Sequence, residues 1–96
     1  METYVIYYNI NPLTAPTRMR SKEFTDKVRA ERYYAACRAD WFDKALKEYE
    51  ATKQYNGYQP NFDDYFKETE HPDAVTEKMF EGEIGWTRYS FCLAKA

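Results

Sequence analysis

From Ser21 to Asn56 neither glycine nor proline interrupts the chain, and a run of that length leaves helix as the natural conformation. Ser21 offers an N-cap, with Glu23 in the first turn. Inside the run Phe24, Val28, Ala35, Phe42, Leu46 and Tyr49 keep one azimuth within about 40° at the helical 100° per residue. A second stripe, Ala30, Tyr34, Cys37, Trp41 and Ala45, lies beside the first, so a helix over 21–54 is expected to touch two neighbours. A run of about 30 residues would be about 45 Å long, whereas a compact globule of this size has a radius of gyration of about 12 to 13 Å. The helix therefore either projects or breaks near Ala39 and Asp40.

The flanks read as a strand, a loop and a second half of mixed character. Thr3 to Ile10 is rich in β-branched and aromatic residues, with Tyr4, Ile6, Tyr8 and Ile10 on one face and Val5 and Tyr7 on the other. Asn11 to Thr17 carries two prolines and makes a loop. Gln54 to Asn61 is a turn by its Asn56-Gly57 pair and Pro60. Asn61 caps a short helix to about Glu70, and Asp73 caps another over Ala74 to Glu81 with Gly82 just beyond its end. Ile84 to Ala94 returns as a strand, with Tyr89, Phe91 and Leu93 on one face. The expected fold is α+β in the order β-α-α-α-β, a small sheet of the two terminal strands covered by one long helix and two short ones. At 96 residues, positions 1–96 make one domain.

Ten tyrosines, six phenylalanines and two tryptophans exceed what one small core needs, and Tyr and Trp suit surfaces that meet a partner. Charged residues are 31% and hydrophobic residues 44%, too apolar for disorder. No basic region followed by an apolar run opens the sequence, and no stretch approaches the length of a membrane span, so a cytoplasmic protein is expected. Cys37 and Cys92 then favour thiols over a disulfide.

The net charge of −2 hides a split: Thr17 to Arg38 sums to +4 and Asp40 to Glu83 to −7. The basic segment 18–38, with Tyr33 and Tyr34 interleaved, resembles the mixture used on single-stranded nucleic acid. Glu23 with Lys27, Lys27 with Glu31 and Asp26 with Arg29 are helix-spaced, however, which spends part of that charge internally. Asp64, Glu68 and His71 share the spacing of a helical metal site, but a Glu-x-x-His pair present once falls short of what a dinuclear centre requires. No cofactor, metal or catalytic residue is assigned.

The stretch Tyr55 to Tyr65 mixes aromatic anchors with Asn, Gly and Gln, the chemistry of a recognition loop. Tyr55, Tyr58, Asp63, Asp64 and Tyr65 are therefore the candidate partner-binding residues. Val5, Tyr7, Trp41 and Trp86 are candidates for a second interface or a homodimer, since an open sheet edge invites β-addition. The reading that follows is a non-enzymatic protein-binding module that sets aromatic and acidic surface on a basic, nucleic-acid-handling protein. Composition associates it with phage and mobile-element accessory proteins, including inhibitors of host defence of the anti-CRISPR kind. Direct DNA or RNA binding through segment 18–38 is the alternative, and a metal-dependent enzyme a distant third.

Overall fold

Tyr4–Pro12 (β1) pairs with the last strand, Thr87–Lys95 (β5), antiparallel over nine residue pairs, so the two ends of the chain form the middle of a sheet. The computed structural model describes residues 2–16, 18–55, 60–69 and 75–96. Around that central pair lie Arg20–Phe24 (β2), Lys67–Thr69 (β3) and Thr76–Ile84 (β4), in the order β2-β1-β5-β4-β3, with every neighbour antiparallel. One helix among the described residues, Lys27–Lys53 (α1), packs on one face, and a 3-10 turn spans Phe62–Asp64. The architecture is α+β as expected, but the sheet has five strands and the described residues hold one α-helix.

The long helix is one piece of 27 residues, about 40 Å in length, and it does not break at Asp40. It starts six residues later than Ser21. Asp26 is the N-cap and accepts from the Val28 amide at 2.9 Å, because Arg20 to Phe24 are taken up as a strand against Tyr4 to Tyr8. That ladder satisfies backbone groups on the open edge of β1, which a helical turn at Ser21 would leave unpaired.

The stripe that faces the sheet is the second one. Ala30 and Ala45 are fully buried and Tyr34 nearly so, whereas Val28 and Leu46 of the first stripe are exposed and Phe24 is not in the helix at all. Two alanines bring the helix axis close to the sheet, and Tyr34 and Trp41 fill the space between. Trp41 stacks on Tyr89 at 4.3 Å, and Tyr34 meets Phe80 edge-on at 5.3 Å. From the first stripe Phe42 and Tyr49 meet Phe62 of the 3-10 turn at 5.6 and 5.4 Å, and Phe42 also meets the buried Phe66 at 5.2 Å. The C-terminal half of the helix thus rests on that turn, and the molecule is elongated, 54 × 26 × 22 Å.

Two of the three expected helices give way. Asn61 does cap, accepting from the Asp63 amide at 3.1 Å, but the turn it starts ends at Asp64 and β3 follows. The expected helix over Ala74 to Glu81 is β4 from Thr76 onward, while Asp73 and Ala74 lie outside the described residues, as do Asn56 and Gly57. Ile84 belongs to β4, and Gly85-Trp86 forms a two-residue hairpin turn into β5. Gly85 has φ +59°, as the first central residue of a glycine-led hairpin turn requires.

Most of the rings are core after all. Phe66, Phe80, Phe91 and Tyr8 form one continuous stack across the strands, with centroids 5.4, 4.9 and 5.5 Å apart. Among the described rings only Tyr7, Tyr55 and Trp86 are exposed. Cys37 and Cys92 are half-buried thiols. No helix among the described residues is long and apolar enough to cross a membrane.

Candidate functional site

Side chains alternate along the strands, so the face of the sheet opposite α1 carries Asn9, Ser90, Glu81 and Lys67 in one row across four strands. The next row toward the hairpin turn carries Asn11, Arg88 and Glu83. Asn9 Nδ2 donates to Ser90 Oγ at 2.8 Å. Arg88 donates to Glu83 Oε1 from Nε and from a terminal nitrogen, at 3.2 and 2.9 Å. At the other end of this face the rows turn apolar: Tyr7 opposite Cys92, and Val5 opposite Ala94.

The polar rows floor an open cleft of about 730 Å³, which Asp63 and Asp64 of the 3-10 turn complete at the rim. Four carboxylates, Asp63, Asp64, Glu81 and Glu83, thus meet two bases, Lys67 and Arg88, and Arg88 is already paired with Glu83. The surface is acidic. Beyond the Ile84 and Thr87 pair that closes the hairpin, Trp86 stands 79% exposed, the most exposed large apolar side chain described. Its backbone is fixed nonetheless, since the Trp86 carbonyl accepts from the Leu13 amide at 2.6 Å. An exposed ring therefore projects from an anchored backbone at the end of an acidic cleft.

The sequence candidates divide on this geometry. Asp63 and Asp64 reach the cleft. Tyr55 is exposed just past the end of α1, and Tyr58 lies outside the described residues. Tyr65 is scaffold: its hydroxyl donates to Thr52 Oγ1 at 3.2 Å, its ring packs on Tyr49 at 6.2 Å, and its carbonyl accepts from Tyr89. Trp41 is covered by Tyr89 and Val5 is buried, which leaves Tyr7 and Trp86 as the accessible members of the second set. Asn9, Lys67, Glu81, Glu83, Arg88 and Ser90 are not among the candidate site residues of the sequence, although Glu81 and Glu83 belong to its acidic half. A helix over residues 74–81 conceals the alternation of Glu81 and Glu83 about Gly82, and the available signal is Gly85, since glycine is favoured at the first central position of a two-residue hairpin turn.

The spacing of Asp64, Glu68 and His71 does not produce a helical face. Asp64 is in the 3-10 turn, Glu68 is on β3 where it accepts from Arg38 Nε, and His71 lies outside the described residues. Among the described residues no group of His, Cys, Asp or Glu could hold a metal ion. The expected internal pairs of the basic segment are also missing. Glu23 is on β2 and Asp26 is the N-cap, so neither is on the helix with Lys27 or Arg29, and Lys27 and Glu31 form no ion pair.

Comparison of the chain with family models, curated proteins and solved structures returns no significant match.

Proposed function

We propose that the chain is a non-enzymatic protein-binding module whose contact surface is Trp86 together with the acidic cleft beside it. The partner that fits is a protein with a basic surface, such as one that handles nucleic acid, and the chain would act on it as a small accessory or inhibitor of the phage or mobile-element type. One observation carries the reading: the most exposed large apolar ring of the described residues sits on an anchored hairpin tip, one residue pair from the Glu83 and Arg88 wall of the cleft. Aromatic anchors supply most of the energy of an interface, and the surrounding charges act on the rate of encounter. Tip and cleft offer one of each.

The test is site-specific photocrosslinking from position 86 in the native host, with position 55 as the comparison. A single protein crosslinked from 86, through a Lys- or Arg-rich peptide, is expected. Against that purified protein Trp86→Ala should weaken binding by about 2 kcal/mol, while Asp63→Asn with Asp64→Asn slows association and flattens its salt dependence. Unchanged affinity in the Trp86→Ala variant would move the interface elsewhere.

A further inference from the structure

The edge of the sheet opposite the cleft carries the reverse charge. Arg20 and Lys22 lie two residues apart on β2, the outermost strand, hence on one face and about 7 Å apart. Lys22 Nζ sits 4.3 Å from the centre of the Tyr33 ring, which joins this strand to α1. Arg29 precedes Tyr33 by four residues and so shares its side of the helix, with Arg32 adjoining. Arg18 stands two residues upstream of Arg20. Arg18, Arg20, Arg29 and Arg32 are exposed, and none of them forms an ion pair among the described residues. Of the nearby acids, Glu23 alternates to the other face of β2, Asp26 caps the helix, and Glu31, two residues from Arg29 and one from Arg32 on α1, faces neither of them.

We infer that this basic edge binds the phosphate backbone of a single-stranded nucleic acid, as a second surface independent of Trp86 and the cleft. Net charge does not oppose it. Three strand spacings separate β2 from β4, the strand that carries Glu81 and Glu83, about 14 Å, and screening at physiological salt acts over about 8 Å, so these carboxylates are largely screened from the basic edge. A row of Arg and Lys on an edge strand deters addition of another β-strand, whereas Arg and Lys are the side chains that neutralise phosphates. Single-stranded rather than duplex nucleic acid is indicated by the apolar side chains at this edge. Ile10, two residues beyond the Tyr8 and Arg20 pair and so on the same face, is 45% exposed, and Met19, immediately before β2, is 59% exposed. They offer contact to base faces, which a duplex keeps stacked inside.

Fluorescence anisotropy with a labelled oligothymidine of about 20 nucleotides, titrated between about 50 and 200 mM salt, reads the contact directly. Binding in the micromolar range is expected at the lower salt. Four to five neutralised phosphates would give a slope of log K on log salt of about −3. Arg20→Ala, Lys22→Ala, Arg29→Ala and Arg32→Ala combined should weaken binding at least tenfold and lower that slope. Should that variant melt early, Arg29→Glu with Arg32→Glu on the exposed helix surface must reproduce the loss. Asp63→Asn with Asp64→Asn should leave oligonucleotide binding within twofold, which separates this surface from the protein-binding one. Absence of binding by the native chain, equal binding by the basic-edge variants, or tighter binding to a duplex of the same length or to phosphatidylserine vesicles would each overturn the inference.

Discussion

The Tyr89 hydroxyl donates a hydrogen bond to the backbone carbonyl of Tyr65, and both groups stand directly over Gly82. A Cβ at position 82 would lie 2.6 Å from the Tyr65 carbonyl carbon and closer still to its oxygen. This contact holds the 3-10 turn, and with it Asp63 and Asp64, against β4.

Gly82→Ala is therefore expected to cost about 1 to 3 kcal/mol or more in urea unfolding, because backbone and not a flexible side chain must move. Tyr89→Phe leaves the Tyr65 carbonyl without its donor and should cost about 1 to 3 kcal/mol. Native-like stability in both variants would detach the turn from the sheet.

The helix orientation is tested by two neighbours. Ala45 is fully buried against the sheet and Leu46 is 41% exposed. Ala45→Leu should overpack that contact at a cost of about 1 to 3 kcal/mol, and Leu46→Ala should cost less than about 1 kcal/mol. The reverse order in chemical denaturation would return the helix to the stripe containing Phe42 and Leu46.

Burial raises the Tyr34 hydroxyl well above its ordinary value of about 10, and the nearby Glu68 carboxylate adds to the shift. Burial does the same to Tyr89. A group whose folded pKa is raised contributes stability below its unfolded pKa, and loses it as pH climbs toward the folded one. Melting temperature should fall above about pH 10. Tyr34→Phe removes one such group and should make that fall shallower; an identical alkaline slope would mean that Tyr34 ionises freely in the folded chain.

The Arg38 hydrogen bond holds the Glu68 carboxyl below its ordinary 4.5, with the guanidinium charge assisting. A depressed folded pKa gives stability that is present above the unfolded value and lost as pH falls through the folded one. Both side chains are more than a third exposed, so water screens the pair and the whole effect should stay below about 1 kcal/mol. Glu68→Gln is expected to reduce the acid sensitivity below about pH 4.5 by that small amount, read as melting temperature against pH. A Glu68→Gln variant more acid-sensitive than the native chain would contradict the assignment.

The first strand, the long helix and a sheet of the chain's two terminal strands were legible in the sequence, whereas the sequence left open whether the helix breaks near Asp40. Alternation in Tyr4 to Ile10 and freedom from Gly and Pro in the helix act within a few residues, and propensity reports them well. Asp63 and Asp64 stand out in the sequence as part of a loop, and it is the tertiary structure that sets them beside a cleft. What only the tertiary structure decided was the fate of segments whose local signals were balanced. Arg20 to Phe24 fits a first helical turn as well as a strand, and the open backbone of β1 settled the matter. Thr76 to Glu81 can be written as a helix, but Phe80 belongs over Phe91 and Gly82 under Tyr65, contacts that exist only once β5 and the 3-10 turn are in place. The same long-range contacts drew most of the aromatic rings inward and left Trp86 outside at a turn. Which stripe of the helix is core was likewise set by the closeness that Ala30 and Ala45 allow. Local pattern chooses among conformations differing by tenths of a kcal/mol per residue, whereas burial of a ring against its cross-strand partner is worth several times more.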